Sequence, residues 1–418
     1  MCSSDLAQVG RALGFPNPIS FDMGGTTAKT SLIRDSEPVM APGYYVGGYA
    51  SGHPVMVPVV DLVEVGAGGG SIAWIDDVGA LKVGPHSAGA EPGPICYSRG
   101  GSEPTITDAN VVLGRLDPDN FLGGDMKLDA AGAAKGIENK IAKPLGLTTV
   151  QAAQAILDIA ISKMSLAVRE VSVAKGYDPR DFALVASGGN GAMHVIAIAR
   201  ELHIPTVIVP LFPAHFSALG MIVADERHDL TRTHFTDLAQ LDFDKLVGVY
   251  KEMVVEAESG LRQKNKVQYQ CHLDLRYVGQ EFTLPIPVTL EQLQKADRKA
   301  IRAAFDQMYE RRYANNSPTE PVELVNIRLI VVGKRPHMNF PTLPNKGQPK
   351  PTHRRDVYFG DATRAVSSPV YRRADLGPDV KLQGPALIQE RGTTTVLFEG
   401  DTLTMAPSGE MIISVGGK

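Results

Sequence analysis

No run of about 18 uncharged apolar residues occurs in the sequence, so no segment reads as a helix that spans a bilayer. The N-terminus lacks the basic-then-apolar layout of a secretory signal. Cysteine is scarce. Cys2, Cys96 and Cys271 make neither a metal-ligand spacing nor a disulfide framework, which leaves a reduced, cytoplasmic setting as the default. Excess charge is missing too: a formal net charge of −4 provides no electrostatic footprint for nucleic acid or an anionic membrane. There is no internal repeat and no low-complexity segment. What remains is a chain of 418 residues, 43% hydrophobic and 21% charged, long enough for two or three domains with substantial cores. Glycine is the unusual figure. Its 42 residues gather at 66–70, 84–101 and 187–191, which suggests backbone packed close to a ligand; many simple turns is the plainer reading, since some of the 29 prolines share those places.

The stretch Ile19 to Ile33 organises the chain. An apolar run ends in Asp22, Gly24 and Gly25 make a turn, Thr26 and Thr27 come next, and a second apolar run leaves, as in a tight β-hairpin. Successive N–H groups in a glycine turn form a concave nest suited to phosphate, and threonine hydroxyls add donors. Asp22 is placed to hold Mg²⁺, which prefers one or two carboxylates plus phosphate. An ordinary hairpin with a turn-capping aspartate fits the same string equally well.

Further along, Pro54 to Val65 reads as one or two buried strands leading into Gly66 to Ser71, and Asp76 to Gly79 turns a hairpin between Ile72–Ile75 and Leu81–Val83. The glycine run is a second anion nest, a floor under substrate, or a strand bend. Residues 84–104 have no periodicity and suggest a functional loop, with His86, Ser87 and Cys96 as its chemical candidates. Lone histidines and cysteines are more often structural, and nothing adjacent in sequence activates Cys96. Asp108 reads as a helix N-cap. Thr148 and Gln151 form a capping box that opens a long helix with its stop at Gly176, whose apolar stripe is core. Phe182–Ala186 is a strand buried on both faces, Ser187–Gly191 a glycine turn, Ala192–Leu202 a helix and Thr206–Val209 the next strand. That is a parallel βαβ unit, which binds ligands at strand carboxyl ends. His194 on the helix's first turn reads as packing. Beyond Asp229, residues 237–265 and 290–313 read as helices, Cys271–Val278 and Glu281–Val288 as paired strands around Gly279, and Val322–Val332 as another strand. The proline-rich 336–352 reads as a linker and 353–418 as a small β domain.

Asp22 to Thr27 resembles the D-x-G-G-T phosphate loop of the actin and sugar-kinase superfamily. Taken with Glu64–Ala73, Ser87–Tyr97, Thr105–Asn110 and Ser187–His194 in that order, it resembles the hydantoinase/oxoprolinase family, A-type subunit, over nearly the whole chain. The resemblance implies an α/β fold: an actin/sugar-kinase-like (ribonuclease-H-like) half over 7–235, an α+β region over 236–335 and the C-terminal β domain. It implies ATP and Mg²⁺ as cofactors. Asp22 would hold the metal, and Asp22 and Thr26 would be catalytic. Gly24, Gly25, Thr26, Thr27 and Lys29 would hold phosphate, and Gly188, Gly189, Asn190 and Gly191 would form the adenosine-side loop, facing the phosphate turn across a cleft. The substrate implied is a small cyclic amide, a hydantoin or 5-oxoproline, opened after phosphorylation of its carbonyl, with a B-type subunit as partner. Lys29 departs from the family pattern, which often has an aspartate there, and this keeps a ketone carboxylase of the acetone or acetophenone type as an alternative. A non-catalytic nucleotide-binding assembly subunit is another.

Met1 to Leu6 look unlike the rest of the chain and read as a non-native leader, and the family's further N-terminal region with its own D-x-G-G-T loop has no counterpart in this sequence. Residues 7–418 alone are therefore expected to show little or no ATP hydrolysis, because half a phosphate clamp misplaces the reacting groups and an error of about 1 Å costs roughly 100-fold. Robust substrate-dependent turnover by purified residues 7–418 would overturn that expectation.

Overall fold

The computed structural model describes residues 2–41, 44–46, 52–55, 59–262, 266–335 and 342–416. They fall into two compact units, one of Met1–Gly52, Val59–Val223 and Asn339–Lys418, the other of His53–Pro58 and Ala224–Met338.

The first unit is built on a mixed sheet. Its centre is three parallel strands, Pro18–Met23, Ala183–Ser187 and Thr206–Val209, with Ala183–Ser187 in the middle and buried along its whole length. Such a strand is apolar on both faces because both faces are covered. Side chains alternate between them. Leu184, Ala186, Val207 and Val209 point into the main core with the Thr149–Val171 helix, while Val185 and Ile208 pack with Leu6, Val9 and Phe216 on the opposite side. Ala28–Arg34 pairs antiparallel with Pro18–Met23 and carries Leu62–Val65 on its outer edge. That outer strand is only half-buried, less so than its valines suggest; residues 56–58 of the same stretch lie outside the described residues. The hairpin over 71–87, the Thr148–Gln151 capping box and the βαβ unit all form as the sequence indicates.

The segment 353–418 does not stand as a separate small β domain, since it clusters with the first unit. Met411–Ser414 pairs with Thr206–Val209, and Thr402–Met405 and Lys381–Gln383 continue the central sheet beyond it. The physical reason is burial. Strands of three to four residues carrying Leu403, Met411 and Ile413 cannot enclose a core alone, and the open edge at Thr206–Val209 needs a partner. The remaining C-terminal strands form a four-stranded sheet of their own. Two buried arginines fasten it. Arg373 donates to the carbonyls of Val209 (3.1 Å) and Gly409 (2.9 Å) and pairs with Glu390 at 2.8 Å. Arg115 donates to the Tyr358 carbonyl at 3.0 Å and to Gln154 at 3.1 Å, and burial lowers it to about 10, still charged at neutral pH. Of the expected linker, residues 342–352 are described and contain neither helix nor strand.

The second unit is an antiparallel sheet in the order Glu226–Asp237, Val322–Gly333, Val267–Tyr277, Leu284–Val288. One face is apolar, with Leu273, Leu275, Ile286, Ile327 and Leu329 packed with Leu246, Tyr250 and Met253 of Phe243–Gly260 and Ile301 and Phe305 of Arg298–Tyr313. No single helix among the described residues is long and apolar enough to cross a membrane.

In the first unit's core, His194 is fully buried with its Nε2 3.3 Å from the amide nitrogen of Asn110. Burial first, then the charge of Arg115, lowers it from 6.5 to about 3. Between those values the unfolded chain takes up a proton that the native state refuses, so stability falls as pH drops through that window. His194 should contribute a loss of about 2 kcal/mol from pH 7 to pH 5. Denaturant midpoints at both pH values, for wild type and His194→Gln, check this; an equal drop in both proteins would remove His194 as the cause.

Candidate functional site

The hairpin forms where the apolar and glycine pattern places it, with Gly24 N–H bonded to Thr27 O at 3.1 Å across the turn. Asp22 is the penultimate residue of its strand, opposite Ser187 on the parallel neighbour and Lys29 on the antiparallel one. The carboxylate is half-buried and accepts from the Ser217 hydroxyl at 3.4 Å. Gly25 and Thr26 are exposed at the tip. Lys29 is also exposed, and its ammonium lies 3.7 Å from Glu64 on the edge strand, an interaction of about 0–1 kcal/mol at such exposure.

Two further glycine segments close on this turn. Gly69 and Gly70 donate their N–H groups to the carbonyls of Gly24 and Gly25, at 3.0 and 2.6 Å. A β-carbon on Gly68 would lie 2.5 Å from the Thr26 nitrogen, so only glycine lets the run approach. The run thus forms a floor under the turn as it links Leu62–Val65 to Ser71–Ile75. From the other side, Gly188 has φ +79° and leaves no room for a β-carbon, which would sit 2.5 Å from Asp22 Oδ1 and 2.3 Å from the Met23 carbonyl. Asn190 completes the junction. Its backbone N–H donates to Met23 O at 3.0 Å and its side-chain amide to Gly24 O at 3.1 Å. The Asp22–Thr27 turn and the Ser187–Gly191 turn therefore lie at the ends of adjacent strands in direct contact at Asn190, with no cleft between them there. Although Asn190 precedes the Gly191–Leu202 helix, its side chain makes no capping bond, because the amide is directed to Gly24. Gly189 faces the Gly392 carbonyl, 3.4 Å from where its β-carbon would stand.

Asp108 is not the N-cap. Thr105 is, and Asp108 stands at the third helical position of a capping box. Its buried carboxylate accepts from the N–H groups of Thr105 (2.9 Å), Cys96 (2.8 Å) and Ile95 (3.2 Å) and from the Thr105 hydroxyl (2.8 Å). It thereby ties the glycine- and proline-rich segment to the start of this helix. Thr107 carries the link onward, with both its N–H and its hydroxyl on Gly69 O at 2.8 Å. Burial, and next the charge of Asp108, push the Cys96 thiol far up, so it is no thiolate nucleophile. His86 is exposed, and Ser87 stands beside Gly70. Thr105 had a readable signal in its spacing to Asp108. Ser217 had none, because only the fold brings it across 195 residues to Asp22. Among the described residues no group of three His, Cys, Asp or Glu side chains is arranged to hold a metal. A cation here would rest on Asp22 together with phosphate and water, which suits Mg²⁺. The Gly191–Leu202 helix begins at this junction, and the positive ends of helices favour anions.

The hydantoinase/oxoprolinase family model matches residues 5–230, and the hydantoinase/oxoprolinase C-terminal domain model matches residues 239–407. An uncharacterised protein of Methanocaldococcus jannaschii is 38% identical over 389 residues, covering 91% of this chain and 56% of that protein. Caprolactamase subunit alpha of Pseudomonas jessenii is 34% identical over 418 residues, covering 98% of this chain and 60% of that subunit. The crystal structure of the ATP-dependent caprolactamase from the same organism superposes with a TM-score of 0.83 at 32% identity, covering 99% of this chain and 61% of that one. Nucleotide-free acetone carboxylase superposes with a TM-score of 0.81 at 27% identity, covering 99% and 60%. This chain thus spans roughly three fifths of the relatives it matches, and it belongs to the hydantoinase/oxoprolinase family.

Proposed function

We propose that this chain is the nucleotide-binding part of an enzyme that uses ATP to open a small cyclic amide. The observation that carries the reading is the junction at Asn190, where an aspartate-bearing glycine turn, a glycine floor and a strand–glycine–helix turn meet at the ends of parallel strands. A lactam-type amide is inert because of its resonance, and phosphorylating its oxygen makes the carbonyl carbon electrophilic. Such a transfer needs positioning and charge neutralisation more than covalent help. In this reading the Gly24–Thr27 turn presents N–H and hydroxyl donors to the phosphates, with Thr26 exposed toward them. Gly188 to Gly191 border the nucleoside. Asp22 orients Mg²⁺, directly or through water, and the ion when bound neutralises charge on the phosphates. Asn190 acts as a positioning residue, holding the Gly24 carbonyl and with it the curvature of the turn. A B-type subunit is the proposed partner and the cytoplasm the proposed location.

A second reading, ATP-dependent carboxylation of a ketone, is favoured by the superposition on acetone carboxylase and by Lys29 in place of an aspartate. Lys29 is paired with Glu64 and would have to leave it to reach phosphate. Assaying the full-length enzyme with its partner against lactams, hydantoins, 5-oxoproline and, with bicarbonate, small ketones separates the two. ATP turnover driven by amides alone is the expected result.

Asp22→Asn in that enzyme should lower turnover on the order of a hundredfold or more with an unshifted melting temperature, since size is kept and the charge that a divalent ion needs is lost. A mere turn cap would instead lose about 1 kcal/mol of stability, so unchanged turnover would end the assignment. Asn190→Asp replaces a donor by a carboxylate oxygen against the Gly24 carbonyl. The KM for ATP should rise on the order of tenfold, the worth of about one hydrogen bond plus repulsion, while kcat changes less. An unaltered KM would show that the turn holds its shape without Asn190.

A further inference from the structure

Strand Thr206–Val209 leaves the sheet into a short segment that runs back over the nucleoside-side turn. Pro213 O accepts the Gly188 N–H at 2.9 Å, the methyl of Ala214 lies 2.6 Å from where a β-carbon on Gly392 would stand, and Ser217 reaches Asp22. At the head of this segment stands Phe212, with φ 55° and ψ 56°, a left-handed backbone that a bulky aromatic rarely adopts. Strained residues of this kind concentrate at ligand sites. The residue is 63% exposed, whereas Phe216, four residues on, is buried in the core beside Leu6 and Val9. One aromatic of the segment anchors it, and the other is held in solvent one residue before Pro213, whose carbonyl is bonded to Gly188. The surface on offer is an exposed aromatic side chain on the segment that is bonded to the Ser187–Gly191 turn. That combination suits a flat heteroaromatic ring, and the ATP reading supplies one in its purine.

We propose that Phe212 is the stacking platform for the purine base, a role that rests on the nucleotide-binding reading and extends it to base recognition. Stacking on an aromatic ring is lost on truncation to alanine and kept by another aromatic.

The test is calorimetric titration of the full-length enzyme with ATP and, separately, with inorganic triphosphate, which engages the Gly24–Thr27 turn but has no base. Phe212→Ala should weaken ATP on the order of tenfold and leave triphosphate unchanged, and Phe212→Tyr should retain the wild-type preference for ATP. Phe212→Gly adds a control with a stability readout. Glycine fits the left-handed backbone, so its melting temperature should hold or rise while ATP affinity falls. Equal ATP affinity in wild type and Phe212→Ala would overturn the proposal, as would an equal loss of ATP and triphosphate. A wild-type enzyme that binds neither would instead overturn the nucleotide reading, and this proposal with it.

Discussion

Two hydrogen bonds from one residue hold the candidate site together. Asn190 donates from its backbone to Met23 and from its side chain to Gly24, and so locks the strand–turn–helix of one parallel strand onto the hairpin turn of its neighbour. This contact is available because Gly188 and Gly68 have no β-carbons to keep the three backbones apart. The carbonyls of Gly24 and Gly25 are then engaged from behind, by Asn190, Gly69 and Gly70, and the tip at Gly25 and Thr26 is left facing solvent. A turn held from behind in this way needs little reorganisation when charge arrives, which supports the anion-binding role proposed for it.

Support for that turn extends outward through buried polar groups. Asp108 gathers the N–H groups of Ile95, Cys96 and Thr105, Thr107 ties the same helix start to Gly69, and Asn110 and His194 join it to the Gly191–Leu202 helix. Each group is buried, so leaving any one unpaired costs more than its bond contributes. The irregular segment rich in glycine and proline is pinned at Ile95 and Cys96, whose N–H groups end on one buried carboxylate.

The C-terminal strands serve the same end from the other side of the sheet. Met411–Ser414 covers the open edge at Thr206–Val209, the strand whose exit segment returns over Gly188. Arg373, buried and bonded to carbonyls of that strand and of the Gly409 turn, replaces water for three acceptors at once. In the second unit the apolar face of a four-stranded antiparallel sheet accounts for its helices without any contribution from the glycine-rich segments.

Local chemistry was legible in the sequence by itself. The hairpin at Asp22–Thr27, the capping box at Thr148 and Gln151, the fully buried strand before Ser187 and the α/β class come from turn residues, caps and periodicity, all set within a few residues of chain. The membership of the glycine run in the same site was not legible, because the bonds from Gly69 and Gly70 to the turn join residues far apart in sequence, and a glycine cluster alone suits a bend equally well. Asp108 read as a cap because a single carboxylate before an apolar run has that local meaning, and only the fold brought Ile95 and Cys96 within its reach. Likewise, the strands after 353 read as a separate domain because short strands do not declare their partner. The tertiary structure placed three of them, Lys381–Gln383, Thr402–Met405 and Met411–Ser414, at the edge beyond Thr206–Val209, since burying Leu403, Met411 and Ile413 required a sheet already built by residues two hundred positions earlier.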